Sequence, residues 1–191
     1  MTTVLPAEMT GPAAVGVPIA DRGVDAALEE LYDEHYVRLV RLAVLLLGDV
    51  GRAEEAVQDS FVAIYKRMLR VDSADFAANA PAYLRQTVVN RSRSVLRHLK
   101  VVSQHPPVAA SDEPGADHDL LSAVRRREVI DALAGLPRRQ REVIALRYYL
   151  DLSEREIAET LRISPGAVKS HASRGAAALR ATLSQLLEEQ S

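Results

Sequence analysis

The amino-acid sequence predicts an all-α protein made of two small helical domains joined by a flexible linker. Apolar residues recur at spacings of three and four through most of the chain, and no segment shows the alternation of a strand. Residues 101–119 combine paired prolines, acids and small residues without an apolar face, which is typical of a connector. We therefore expect a disordered tail over 1–23, a first domain over 24–100, the linker over 101–119 and a second domain over 120–188.

Composition excludes several classes of protein. The chain has 191 residues and no cysteine, so disulfides, thiolate zinc sites and thiol nucleophiles are absent, which fits a cytoplasmic protein. No basic residue precedes Arg22, unlike a secretory signal, and the longest apolar stretch, Leu42–Leu47, is far shorter than the ~20 residues of a membrane span. Phosphate-loop, dinucleotide and HExxH motifs are missing, and the five histidines lack metal-ligand spacing. We expect no cofactor, no membrane insertion and no enzymatic activity.

The first domain should begin with two amphipathic helices. Apolar residues from Val24 onward predict a helix that ends at Gly48, and Asp49 can cap the next one. That second helix should bury one face and expose another. Its apolar stripe comprises Val57, Phe61, Ile64 and Met68, and its polar stripe comprises Glu54, Glu55, Gln58 and Asp59.

A basic helix should complete the first domain. We expect a loop around Val71–Ala80 and a third helix with Pro81 in its first turn, where a proline loses no hydrogen bond. Arg93, Arg97 and Lys100 should align outward on this helix. Residues 85–100 hold five bases and no acid, whereas 53–65 hold three acids and no base. Such asymmetry suggests two different partners.

The second domain should end in a helix-turn-helix. A helix from about Leu120 to Leu133 precedes Gly135 and Pro137, and a further helical segment follows. Ser153 and Glu156 then form a capping box, and Ser164 with Pro165 marks the start of another helix. The break between these last two helices is only about three residues long.

The outer face of the last helix suggests contact with DNA. Small residues near its start permit close approach, and cations can meet phosphates or guanine edges. The residues expected to face DNA are Ser164, Gly166, Lys169, Ser170, Ser173 and Arg174. A capped helical hairpin with a solvated basic face is the alternative. Arg162 occupies the turn position that glycine often fills. A left-handed backbone there is energetically unfavourable for any residue with a side chain.

Three segments in this order resemble the extracytoplasmic-function (ECF) sigma factors, compact bacterial initiation factors that retain sigma regions two and four. AEEAVQDSFVAIYK is similar to the region-two helix that binds the β′ clamp helices of RNA polymerase, and YLRQTVVNRSRSVLR to the helix that opens and reads the minus-ten element. The segment from LPRRQREVIALRYYL through the helix-turn-helix resembles region four, which reads the minus-thirty-five element. The resemblance covers roughly residues 28–187.

The resemblance implies partners and site residues. Core RNA polymerase would be held at the β′ clamp helices and the β flap, with Glu54, Glu55, Gln58 and Asp59 contacting the clamp. Promoter DNA would meet the region-four residues above and, in region two, Tyr83, Asn90, Arg91, Arg93 and Arg97. Ser94 stands where the family pattern has an acid, and Tyr65 and Tyr83 stand where members commonly carry tryptophan, although tyrosine can also stack on a base. The resemblance leaves open an anti-sigma factor as a further partner.

Two other classes of protein share some of these features. A response-regulator-type activator would carry the same terminal helix-turn-helix, but would need an α/β receiver or sensing domain in place of the first helices. A helical adaptor could use the same folds without binding polymerase. Promoter-dependent transcription with purified core enzyme separates these alternatives.

Overall fold

The computed structural model describes residues 23–70, 74–102 and 120–189. Seven α-helices lie within these ranges: α1 (Val24–Leu47), α2 (Val50–Met68), α3 (Ala74–Val102), α4 (Leu120–Gly135), α5 (Arg138–Ile144), α6 (Glu154–Leu161) and α7 (Pro165–Glu189). A five-residue π-helical segment, Ala145–Tyr149, continues α5. No strand occurs in the described part of the chain, which confirms the all-α prediction. Residues 1–22 of the predicted tail and most of the predicted linker lie outside the described residues.

The predicted junction between α1 and α2 is confirmed. Gly48 ends α1 in the left-handed conformation, with φ 77°, and its N–H donates to the Val44 carbonyl at 2.8 Å. The Asp49 side chain accepts a 2.7 Å hydrogen bond from the Arg52 N–H and so caps α2. This tight connection folds α2 back along α1.

The start of α3 differs from the prediction. The helix begins at Ala74, inside the expected loop, so Pro81 lies in its interior and not in its first turn. Phe76 supplies the tertiary contact that the sequence did not reveal, because its ring meets Tyr83 edge-on at 5.6 Å and lies under the Arg67 guanidinium at 5.2 Å. At its other end α3 continues to Val102, two residues into the predicted linker.

The two domains pack against each other. One hydrophobic cluster contains residues of both domains, including fully buried Leu42 and Leu84 from the first and Leu146, Ile157 and Val168 from the second. Helix α1 packs on α4 and on the π-helical segment, and α3 packs on α6. The two domains therefore share one continuous apolar core.

Candidate nucleic-acid interface

The helix-turn-helix is built as the sequence predicts. The Glu156 N–H donates to Ser153 Oγ at 3.3 Å, and the Glu156 carboxylate accepts from the Ser153 N–H at 2.9 Å and hydroxyl at 2.6 Å. These hydrogen bonds, first that of the side chain and then that of the backbone, lower the pKa of the Glu156 carboxyl. Arg162 takes the left-handed turn conformation, with φ 54°, and Ser164 Oγ caps α7 by accepting from the Ala167 N–H at 3.2 Å.

The predicted DNA-facing residues of α7 share one accessible surface. All six are exposed: Ser164, Gly166, Lys169, Ser170, Ser173 and Arg174. The Arg174 guanidinium folds back along the helix and donates to Ser170 Oγ at 2.8 Å, so both belong to one polar network. On the opposite face, Val168 and Ala172 are buried in the core. We refer to the exposed set as the α7 surface.

Gly175 fixes how closely α7 approaches α5, a role that the sequence pattern did not predict. A Cβ at this position would lie 2.9 Å from Ile144 Cγ1 and 3.2 Å from Gln140 Cβ. A glycine within a long helix is the only signal that could have indicated the crossing. The second domain therefore depends on a residue without a side chain at the helix crossing.

The predicted polymerase-facing residues form an exposed polar stripe on α2. Glu54, Glu55 and Gln58 extend into solvent, as does Asp59, whose carboxylate lies 3.5 Å from the Arg91 guanidinium of α3. Both side chains of that pair are about half exposed (56% and 47%), so the pair contributes at most about 1 kcal/mol. The acidic stripe and the basic helix thus meet at one edge of the first domain.

The basic helix presents only part of its predicted surface. Asn90, Arg91 and Arg97 are exposed, and the Arg97 guanidinium donates to Ser94 Oγ at 3.0 Å. Serine therefore still positions this arginine where the family pattern has an acid. Tyr83 is half-buried, with the Arg67 guanidinium 4.9 Å above its ring.

Arg93 does not align outward as predicted. Its side chain is only 17% exposed and binds the Glu142 carboxylate of α5 through two hydrogen bonds, at 2.7 and 2.8 Å. It also donates to the Asn90 side chain at 3.1 Å. The prediction was wrong because helical periodicity places a residue on a face but does not show which distant segment covers that face.

Other polar side chains cross between the domains. Arg38 donates to the Leu150 carbonyl at 3.0 Å, Arg141 to the Leu46 carbonyl at 2.8 Å, and Gln86 to two carbonyls at the end of α6 at 3.3 and 3.4 Å. Burial lowers the pKa of the Arg141 guanidinium, and the nearby Glu142 charge opposes that shift. With the Arg93–Glu142 pair, these contacts define the domain seam. No local pattern of residues predicts this seam.

Neither a metal site nor a membrane span is found in the part of the chain that the structure describes. Histidine, aspartate and glutamate side chains there form no group of three or more that could hold a metal ion. No helix within the same ranges is long and apolar enough to cross a membrane.

Both domains match known protein families. Residues 31–101 match Sigma-70 region 2, and residues 126–179 match Sigma-70, region 4. The ECF RNA polymerase sigma factor SigL of Mycobacterium tuberculosis is 33% identical over 165 residues, covering 84% of this chain and 91% of SigL. RNA polymerase sigma-E factor of Streptomyces avermitilis is 32% identical over 163 residues, covering 81% of this chain and 87% of that protein.

Two solved structures share the fold. CnrH, in complex with the cytosolic domain of CnrY, superimposes with a TM-score of 0.63 and 26% identity, covering 90% of this chain and 94% of that chain. Sigma factor RpoE, in complex with the anti-sigma factor NepR from Bartonella quintana, gives a TM-score of 0.62 at 21% identity, covering 88% and 98%. At this identity the second likeness concerns the fold alone.

Proposed function

The chain belongs to the extracytoplasmic-function sigma factors of the sigma-70 family, and we propose from this premise which of its surfaces meet polymerase and which meet promoter DNA. It is a sigma factor that binds core RNA polymerase and directs promoter-specific initiation of transcription. The observation that carries this function is the presence of both sigma regions in one chain, in family order. Residues 24–100 would act as region two and residues 120–188 as region four, with 1–23 as tail and 101–119 as linker.

The acidic stripe of α2 is the proposed polymerase surface in region two. Glu54, Glu55, Gln58 and Asp59 are exposed together on one helix face, where they can meet the β′ clamp helices. Complementary charge steers such an encounter and fixes its register. Region four would contact the β flap, and an anti-sigma factor is a further candidate partner.

Promoter DNA is the proposed ligand of two basic surfaces. Asn90, Arg91, Arg93 and Arg97, with Tyr83, would hold the minus-ten element, and the α7 surface would enter the major groove at the minus-thirty-five element. Phosphate contacts position a protein on DNA, whereas contacts to base edges specify the sequence. We assign no catalytic residue and no cofactor to this chain, since the polymerase itself carries out the chemistry. We place the chain in the cytoplasm, together with the polymerase.

Reversing the charge of two acidic residues tests the polymerase surface. The variant Glu55→Lys/Asp59→Lys should weaken binding to core enzyme about tenfold or more, which corresponds to ~1.4 kcal/mol. Glu29→Lys, a single charge reversal at an exposed position of α1, is the control. Circular dichroism should show unchanged helicity, because both α2 side chains are exposed. Core binding equal to that of the wild type would remove these residues from the interface.

A further inference from the structure

The Arg93–Glu142 ion pair connects a proposed promoter-binding helix to the other sigma region. Its two short hydrogen bonds satisfy both carboxylate oxygens, in the bidentate arrangement that arginine also makes with phosphate. The Glu142 side chain is only 3% exposed, so water does not compete for it. The carboxylate thus holds the guanidinium in the way that a DNA phosphate would.

We propose that Glu142 is an internal competitor for promoter phosphate and holds the free sigma factor in a closed, DNA-excluding state. The neighbouring contact supports this, because Gln86, two helical turns before Arg93, donates to the end of α6 and accepts from Arg162 at 3.4 Å. Region four therefore covers α3 at two points on the same side. The proposal rests on the assignment of α3 to promoter binding.

The pair is suited to opening because Glu142 has further cationic partners within α5. Arg139 donates to it at 3.0 Å, and the Arg138 guanidinium lies at 3.7 Å. When the seam opens, these two arginines remain beside the carboxylate, so no buried charge is left unpaired. Arg93 is released at the same step and can accept a phosphate. Promoter binding and seam opening would therefore be one charge exchange.

The first experiment measures the closed state without DNA. The natural chain has no cysteine, so cysteines placed at the exposed positions Lys66 and Ser184 give a doubly labelled full chain for single-molecule energy transfer. Arg93→Gln should shift the distance distribution to longer values, and region four should stay folded because Glu142 keeps Arg138 and Arg139. Arg97→Gln, on the same helix but bonded to Ser94, is the control and should not shift it. An unchanged distribution for Arg93→Gln would overturn the proposal.

The second experiment measures competition with DNA. If the Arg93–Glu142 pair leaves about one molecule in ten open, the apparent DNA affinity of the wild type is about tenfold lower than that of the open state. Glu142→Gln should then increase the affinity of the full chain for a labelled single-stranded oligonucleotide by about tenfold. Glu154→Gln is the control, because Glu154 pairs with Arg147 inside region four. Circular dichroism monitors folding, and if Glu142→Gln is unfolded the distance measurement decides alone. A folded Glu142→Gln with unchanged DNA affinity would overturn the competition, whereas failure of the proposed function would appear separately, as loss of core-dependent transcription.

Discussion

Substituting Gly175 by alanine should destabilise the protein although alanine is the better helix former. Replacing an interior helical glycine normally stabilises by about 1 kcal/mol. Here the added Cβ would lie 2.9 Å from Ile144 Cγ1, 3.2 Å from Gln140 Cβ and 3.3 Å from Ile144 Cδ1, so α5 or α7 must shift. Overpacking of this kind costs about 1–3 kcal/mol. We therefore expect a net loss of up to about 2 kcal/mol in the free energy of unfolding.

Gly166 provides the matched control for this experiment. It lies on the same helix, is exposed, and an added Cβ would meet nothing within 4 Å. Gly166→Ala should leave stability unchanged or raise it by up to about 1 kcal/mol. Chemical denaturation followed by circular dichroism measures both variants. If Gly175→Ala were as stable as Gly166→Ala, the helix crossing would not be closely packed and our account of region four would be wrong.

Three further predictions concern DNA contacts and helix capping. Asn90→Ala and Arg97→Ala should reduce open-complex formation more than core binding, and wild-type permanganate reactivity of promoter thymines in both would leave α3 with a packing role only. Lys169→Ala or Arg174→Ala should reduce the free energy of promoter binding by about 1–3 kcal/mol if the side chain contacts a base. If it contacts a phosphate, the slope of log affinity against log salt concentration should fall by about one unit. Transcription from promoters with intact and scrambled upstream elements distinguishes a base contact from a phosphate contact. If the variants discriminate between these promoters as the wild type does, the α7 surface is only a solvated face. Because the Glu156 pKa is lowered in the fold, its contribution to stability is present at neutral pH and is lost as the pH falls below about 4.5. The Tm difference between wild type and Glu156→Gln should therefore shrink in acid, and a difference that stays constant with pH would contradict this.

Local features of the fold were predictable because a few neighbouring residues determine them. A glycine that ends a helix, an aspartate that caps the next, and the Ser153–Glu156 box each act within about four residues. The outward face of α7 followed from periodicity in the same way, since Val168 and Ala172 set the buried side. These features specify most helix boundaries and one candidate DNA surface.

Long-range contacts could not be predicted from a single sequence. Arg93 and Glu142 are 49 positions apart, and no local pattern pairs them. The early start of α3 has the same origin, because Phe76 packs against Tyr83 and Arg67 and extends the helix through Pro81. Burial by distant segments overrides local preference at such positions.

Promoter-dependent transcription with purified core RNA polymerase shows whether this chain acts as a sigma factor. The full chain, added to core enzyme lacking other sigma factors, should produce transcripts that start at defined positions on promoters selected from genomic DNA. Glu55→Lys/Asp59→Lys should reduce these transcripts, and the Glu29→Lys control should not. Specific DNA binding by the chain alone, with no core-dependent initiation at any promoter, would contradict its function as a sigma factor.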